Sequence, residues 1–179
     1  MRRAFLSVAA ACLFAAVPAL AALTPGAVAP DFAAKGARAG KPISVHLQEA
    51  LKKGPVVLYF FPAAFTGGCN AEAHAFAEAV PSFTKAGATV IGMTAGNVDQ
   101  LEAFSSQMCA GKFAVAAASP AVVGSYDVQL KKPDGSASGM TRRTSYVIGR
   151  NGRVAFVHDD LNPAEHVRLT LEAVQKLRR

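Results

Sequence analysis

Val56-Val57-Leu58-Tyr59-Phe60-Phe61-Pro62-Ala63-Ala64-Phe65-Thr66-Gly67-Gly68-Cys69 is the stretch that decides the fold. Its first six residues are uninterrupted apolar residues, β-branched or aromatic in five of the six, set between Gly54-Pro55 and Pro62. A run of that length without alternation predicts a strand covered on both faces. From Cys69 the apolar period changes. Ala73, Phe76 and Val80 continue one face of a helix, with Cys69 in its first turn. Thr66 stands where an N-cap belongs, which puts Cys69 at the third helical position.

Working outward, residues 89–93, 113–116, 144–148 and 154–157 read as further strands, the last two joined through the hairpin signal Asn151-Gly152. Asn97 with Gln100 reads as a capping box, ahead of a helix with Val98, Leu101, Phe104 and Met108 on one face. Asn162-Pro163 with Glu165 starts a last helix striped by Val167, Leu171, Val174 and Leu177. Residues 23–41, rich in Ala, Gly and Pro, read as an extended lead-in. Buried strands separated by helices predict an α/β domain, with a central mixed sheet flanked by helices and closed by an antiparallel hairpin. In such sheets reactive groups gather beyond the carboxyl ends of the strands, where residues 62–69 lie.

A cysteine in the first turn of a helix has a chemical meaning. Unpaired N–H groups and the positive dipole end stabilise an anion there, and the thiolate is the nucleophilic form of cysteine. Position alone leaves two readings, a reactive thiol or a buried, inert one. Cys109 is the other cysteine of the 22–179 region, and an even count in an exported chain also allows a structural disulfide.

The spacing Pro62-x-x-x-Thr66-x-x-Cys69 resembles the active-site loop of peroxiredoxins. Ala29-Pro30-Asp31-Phe32 resembles the motif that opens their domain, and Gly124-Ser125-Tyr126-Asp127-Val128 their short helix. Arg143-Thr144-Ser145-Tyr146-Val147-Ile148 with Asn151-Gly152 is similar to their arginine-bearing strand and hairpin. The chain looks most like the peroxiredoxin Q, or bacterioferritin-comigratory, type. The resemblance implies a thioredoxin-like fold of peroxiredoxin type and a thiol-dependent peroxidase of hydrogen peroxide or organic hydroperoxides. It implies Cys69 as the sulfur that becomes a sulfenic acid, Thr66 as a hydroxyl partner, Arg143 as its cation, and Pro62 as a wall of the pocket. Strand alternation sends Arg142 and Arg143 to opposite faces, and the family register favours Arg143. Relatives often have Pro where Gly67 stands, Thr where Asn70 stands, and a second cysteine where His74 stands. Cys109 is then the candidate resolving cysteine, forming an intramolecular disulfide after local unwinding near Gly67, Gly68 and Gly111. A thioredoxin-like donor would recycle it, and no metal or organic cofactor is implied. Relatives of this type are often monomers, so a monomer or weak dimer is expected.

Composition agrees with export of an ordinary globular domain. The chain has 179 residues, 51% hydrophobic, with three cysteines and no tryptophan. Arg2 and Arg3, an apolar run through Leu20, and Ala19-Leu20-Ala21 read as a signal peptide over residues 1–21, cleaved after Ala21. The expected address is the bacterial periplasm, without stable membrane association after cleavage. The net charge of +7 is scattered rather than clustered with aromatics, which argues against nucleic acid. Two rivals on the same fold lack their motifs. A thiol–disulfide oxidoreductase needs C-x-x-C, but Thr66 and Glu72 occupy the two possible positions. A copper carrier needs Cys-x-x-x-Cys, and Ala73 stands there.

Overall fold

The structure is a computed structural model and describes residues 22–177, so the expected signal peptide lies outside the described residues. The decisive run forms β3 (Val56–Phe60), every residue of it buried. It sits between β4 (Thr89–Thr94), to which it is parallel, and β8 (Thr144–Ile148), to which it is antiparallel. The β3 side chains alternate between two cores, which is why the run shows no polar positions. Val57, Tyr59 and Phe61 enter one core with the helix that follows, and Val56, Leu58 and Phe60 enter the other.

With β1 (Ala33–Arg38), β2 (Lys41–His46), β5 (Ala114–Ala117) and β9 (Val154–Asp159), these strands make a mixed seven-stranded sheet in the order β2-β1-β5-β4-β3-β8-β9. The helices are α1 (Leu47–Lys53), α2 (Gly67–Lys85), α3 (Leu101–Gln107), α4 (Pro120–Ser125) and α5 (His166–Lys176). Helices α2, α3 and α5 contribute to the first core, and α1 and α4 to the second. A separate hairpin, β6 (Gln129–Lys131) with β7 (Ala137–Thr141), precedes β8. Among the described residues no helix is long and apolar enough to cross a membrane.

Several local expectations are corrected. Residues 33–41 of the expected lead-in instead form β1, the turn and the first residue of β2 in the β1–β2 hairpin. Its turn places Ala39 and Gly40 at φ 52° and 76°, and alanine carries no sequence signal for that conformation. Helix α1 and the β6–β7 hairpin were likewise not legible, because they are short and largely exposed. The Asn97 capping box does not form. Asn97 is left-handed (φ 54°), its amide donates to the Ala64 carbonyl at 2.8 Å, and a 3-10 turn over Val98–Gln100 leads into α3. Helix α5 begins at His166, because Asn162 Oδ1 accepts from the Ala164 N–H in a local turn. Leu177 lies off its buried stripe and is exposed.

Candidate active site

Phe61 to Thr66 carry the chain from the end of β3 into α2, and neighbouring elements hold this loop by its carbonyls. Thr141 Oγ1 donates to Phe61 O at 2.6 Å, Thr94 Oγ1 to Pro62 O at 2.9 Å, and Asn97 Nδ2 to Ala64 O at 2.8 Å. Phe65 adopts φ 60° and sets its ring edge-on to Phe104 of α3, with centroids 5.4 Å apart. A bulky residue at positive φ is strained. The aromatic contact and the three side-chain hydrogen bonds hold the loop in that path.

Thr66 has the extended backbone of an N-cap, and Gly67, Gly68 and Cys69 follow as the first three helical residues. The side-chain cap is missing. The Thr66 hydroxyl is turned back to donate to Ala63 O at 3.1 Å, so it does not accept from the first-turn N–H groups. Cys69 is 2% exposed although Thr66, Gly67 and Gly68 around it are exposed. Arg143, just before β8, is itself buried and reaches the sulfur: Nη2 lies 3.6 Å from Cys69 Sγ. Its other two nitrogens also donate, Nε to Leu161 O at 2.8 Å and Nη1 to Glu72 Oε2. A β-carbon at Gly68 would stand 3.2 Å from Arg143 Nη2, so this glycine lets the guanidinium come close to the helix. Arg142 points the other way, to a half-exposed ion pair with Asp159. Arg143, Ser145 and Val147 thus share one face of the sheet, as a period of two requires.

Cys109 occupies different surroundings. It lies past the end of α3, fully buried in the core cluster that also contains Cys69, and both thiols are free. Burial pushes the Cys109 thiol well above its ordinary range, and no cation offsets that. Ala110 and Gly111 behind it are left-handed, at φ 49° and 67°. Tyr59 is buried in the same cluster and its hydroxyl has no hydrogen-bond partner. Burial, Cys109, Glu72 and Cys69 all oppose its ionisation.

By sequence Glu72 matches a glutamate often seen after the cysteine in peroxiredoxins, and a solvated helix position explains it as well. Its carboxylate is in fact 1% exposed against Arg143. It stands three positions after Cys69, which places both on one face of α2. Thr94, Thr141 and His166 carry no local motif, and the motifs holding Asn97 and Ser145 point to other roles; only the fold brings these five to the site.

A profile of the AhpC/TSA family matches residues 25–157. The chain belongs to the AhpC/TSA family. Within it, the chloroplastic peroxiredoxin Q of Sedum lineare is 30% identical over 88% of this chain and 81% of its own length. The chloroplastic peroxiredoxin Q of Arabidopsis thaliana is 33% identical over 85% and 67%. Among solved structures, peroxidoxin BcpB of Mycobacterium tuberculosis superposes with a TM-score of 0.75 at 24% identity, covering 87% of this chain and 98% of that one. The bacterioferritin comigratory protein of Xanthomonas campestris superposes at 0.70 with 23% identity, covering 81% and 92%. These superpositions establish a thioredoxin-like peroxiredoxin fold, and the family match makes the chain a peroxiredoxin, a thiol-dependent peroxidase. A thiol–disulfide or copper-carrier reading is not favoured.

Proposed function

We propose that Cys69 is the peroxidatic cysteine of this peroxiredoxin, and one observation carries the assignment. The sulfur lies at the N-terminal end of a 19-residue helix, with a buried guanidinium nitrogen 3.6 Å away. Both features favour negative charge on sulfur. The thiolate attacks one peroxide oxygen, forming an S–O bond as the O–O bond breaks. The sulfur becomes a sulfenic acid, and the departing oxide or alkoxide takes up a proton. Arg143 holds the attacking charge and stabilises charge on the leaving oxygen. Thr66 supplies its hydroxyl to the incoming peroxide once that group turns from Ala63, and Pro62 walls the pocket against water. The oxidant is the substrate, so no metal or organic cofactor enters this scheme.

Cys109 resolves the sulfenic acid. Its thiol displaces water to form the Cys69–Cys109 disulfide, after the first turn of α2 and the end of α3 open locally about Gly67, Gly68 and Gly111. The buried, protonated state of Cys109 supports this order, because it must be exposed before it reacts. A thioredoxin-like dithiol then restores both thiols. Hydrogen peroxide and organic hydroperoxides are the substrate class; the Xanthomonas relative's structure concerns alkyl peroxide reduction. Residues 1–21 act as a cleaved signal for the bacterial periplasm, where the chain works as a monomer or weak dimer, free of membrane and nucleic acid.

Peroxide turnover by wild type, Cys69→Ser and Cys109→Ser with a dithiol reductant tests this reading. Cys69→Ser is expected at background. Cys109→Ser is expected to form the sulfenic acid but to need a different reductant for turnover. Full activity in Cys69→Ser ends the proposal, and a stable sulfenic or sulfinic acid on wild-type Cys69 beside a free Cys109 removes the resolving role.

A further inference from the structure

Behind the Arg143–Cys69 contact lies a buried acid that the peroxidatic scheme leaves unused. Glu72 is the one acidic side chain buried among the described residues. Its Oε2 accepts from Arg143 Nη1, while its Oε1 has no hydrogen-bond partner and lies 3.8 Å from His166 Nδ1. His166, fully buried at the start of α5, sets Nε2 2.8 Å from Asp160 O and Nδ1 2.8 Å from Ser145 Oγ. A carbonyl only accepts, so Nε2 carries the ring proton. Burial lowers His166 to about 4, more than the Asp160 carbonyl raises it. The ring is therefore neutral near neutral pH, and Nδ1 accepts from the Ser145 hydroxyl. Glu72 Oε1 thus faces the acceptor side of His166 Nδ1 with no donor of its own, and a proton on Oε1 would let Glu72 donate to Nδ1 in competition with the Ser145 hydroxyl.

The charge count points the same way. Two acids, Cys69 and Glu72, share one buried guanidinium. A cation offsets one anion well in a dry site, and a second anion beside the first is disfavoured. Burial raises Glu72 to about 7, with Arg143 pulling in the opposite direction. The other titratable groups around the pair come from separate elements. His158 of β9 has its ring centroid 4.5 Å from that of His166, Asp160 precedes α5, and Tyr59 of β3 is sensitive to both Glu72 and Cys69.

We propose that Glu72 and His166 form a one-proton site sharing the Arg143 charge with Cys69: Glu72 holds a proton on Oε1, directed at His166 Nδ1, while Cys69 is a thiolate, and releases it as the sulfur is oxidised. The inference rests on the peroxidatic role of Cys69. Its balance is Glu72 carboxyl plus Cys69 thiolate plus hydroperoxide giving Glu72 carboxylate, Cys69 sulfenic acid and alcohol or water. The sulfur loses two electrons to the O–O bond. The proton that Glu72 gives to solvent equals the one the leaving oxygen takes up, so the buried group keeps its net charge. Glu72, His166 and Ser145 are positioning residues in this step.

Infrared titration of the reduced protein tests it. Wild type is expected to show a protonated-carboxyl band near neutral pH that Glu72→Gln lacks and that peroxide removes. His166→Asn puts an amide donor opposite Oε1 and is expected to move the band's titration down by about one pH unit. Ser145→Ala frees Nδ1 for the Glu72 proton and is expected to move it up by about one unit. Cys69→Ser, lacking the second anion, is expected to weaken the band at neutral pH. The pH dependence of Cys69 oxidation should shift in the same two directions. Absence of the band at every pH from about 5 to about 9, or a band unmoved in both His166→Asn and Ser145→Ala, overturns the inference. That result leaves the peroxidatic reading intact, because peroxide turnover lost in Cys69→Ser judges that reading separately.

Discussion

Two buried cysteines share one apolar cluster in this molecule, and their surroundings differ in kind. Cys69 lies in the first turn of a long helix, against a guanidinium. Cys109 lies beyond the far end of a short helix, where burial acts on its thiol unopposed. The contrast teaches that burial alone does not set a thiol's chemistry. Arg143 is affordable in the interior because each of its three nitrogens has an acceptor, with Leu161 O and Glu72 taking the two that the sulfur does not. Cys109 has no such group, and burial favours its protonated form.

The strongest way to break the contrast is to remove the cation. Arg143→Leu is expected to slow peroxide oxidation of Cys69 by about 10²–10³-fold, the scale of losing one preorganised donor to a developing charge. It also leaves Glu72 Oε2 buried without its donor, a loss of about 1–3 kcal/mol that denaturant unfolding would register. Unchanged oxidation kinetics in a folded Arg143→Leu protein would show that the two thiols differ for another reason.

Phe104→Ala approaches from the Cys109 side. Phe104 stacks on Phe61, meets Phe65 edge-on, and its carbonyl accepts the Cys109 N–H. Its truncation should destabilise the fold by about 3–5 kcal/mol. Cys109 should also become reactive to alkylating reagents under native conditions, narrowing the difference between the two sulfurs.

Acid sharpens the comparison, because the buried titrating pair lies on the Cys69 side. His166, lowered from 6.5 to about 4, binds its proton more readily in the unfolded chain. It therefore withdraws stability as pH falls through that interval. Glu72, raised from 4.5 to about 7, binds its proton more readily in the folded chain and adds stability as pH falls through its own interval. The trends oppose each other where they overlap, and wild-type stability should be nearly flat between about pH 6.5 and 4.5. Glu72→Gln should expose a steady loss on acidification, and His166→Asn a gain. Thermal melts across that range check both signs.

The smallest expected effect is at the helix start. Nothing lies within 4 Å of a β-carbon at Gly67, and Thr66 before it is already extended, as proline requires of its predecessor. Gly67→Pro should stabilise the fold by about 0.4–1 kcal/mol. It should also slow disulfide formation with Cys109 more than the first oxidation of Cys69, because only the disulfide step needs the turn to open.

Legibility followed length and amplitude. The β3 run and the α2 stripe were readable because both bury a continuous face, and the antiparallel β8–β9 pairing because Asn151-Gly152 favours one turn. The β1–β2 hairpin was not, since Ala39 adopts its left-handed conformation only in tertiary context. Thr66 could be placed as a cap by position, yet its hydroxyl bonds backward to Ala63, a choice between local acceptors that spacing does not encode. For Glu72 a family-like glutamate and a solvated helix position stayed equally open, because nothing in α2 itself reveals that Arg143, 71 residues later, will cover it.

Sequence by itself determined the alternation of strands and helices, the position of Cys69 in a first helical turn, and the opposite facing of Arg142 and Arg143. Those features follow from periods of 2 and 3.6 and from the steric limits of proline and glycine, which act within a few residues. Only the tertiary structure decided that one guanidinium would stand between a thiol and a carboxyl group, with an imidazole on the acid's other side. Such contacts join the β8 segment, α2 and α5 over one face of the sheet. Their strength comes from excluding water, and only the assembled core does that.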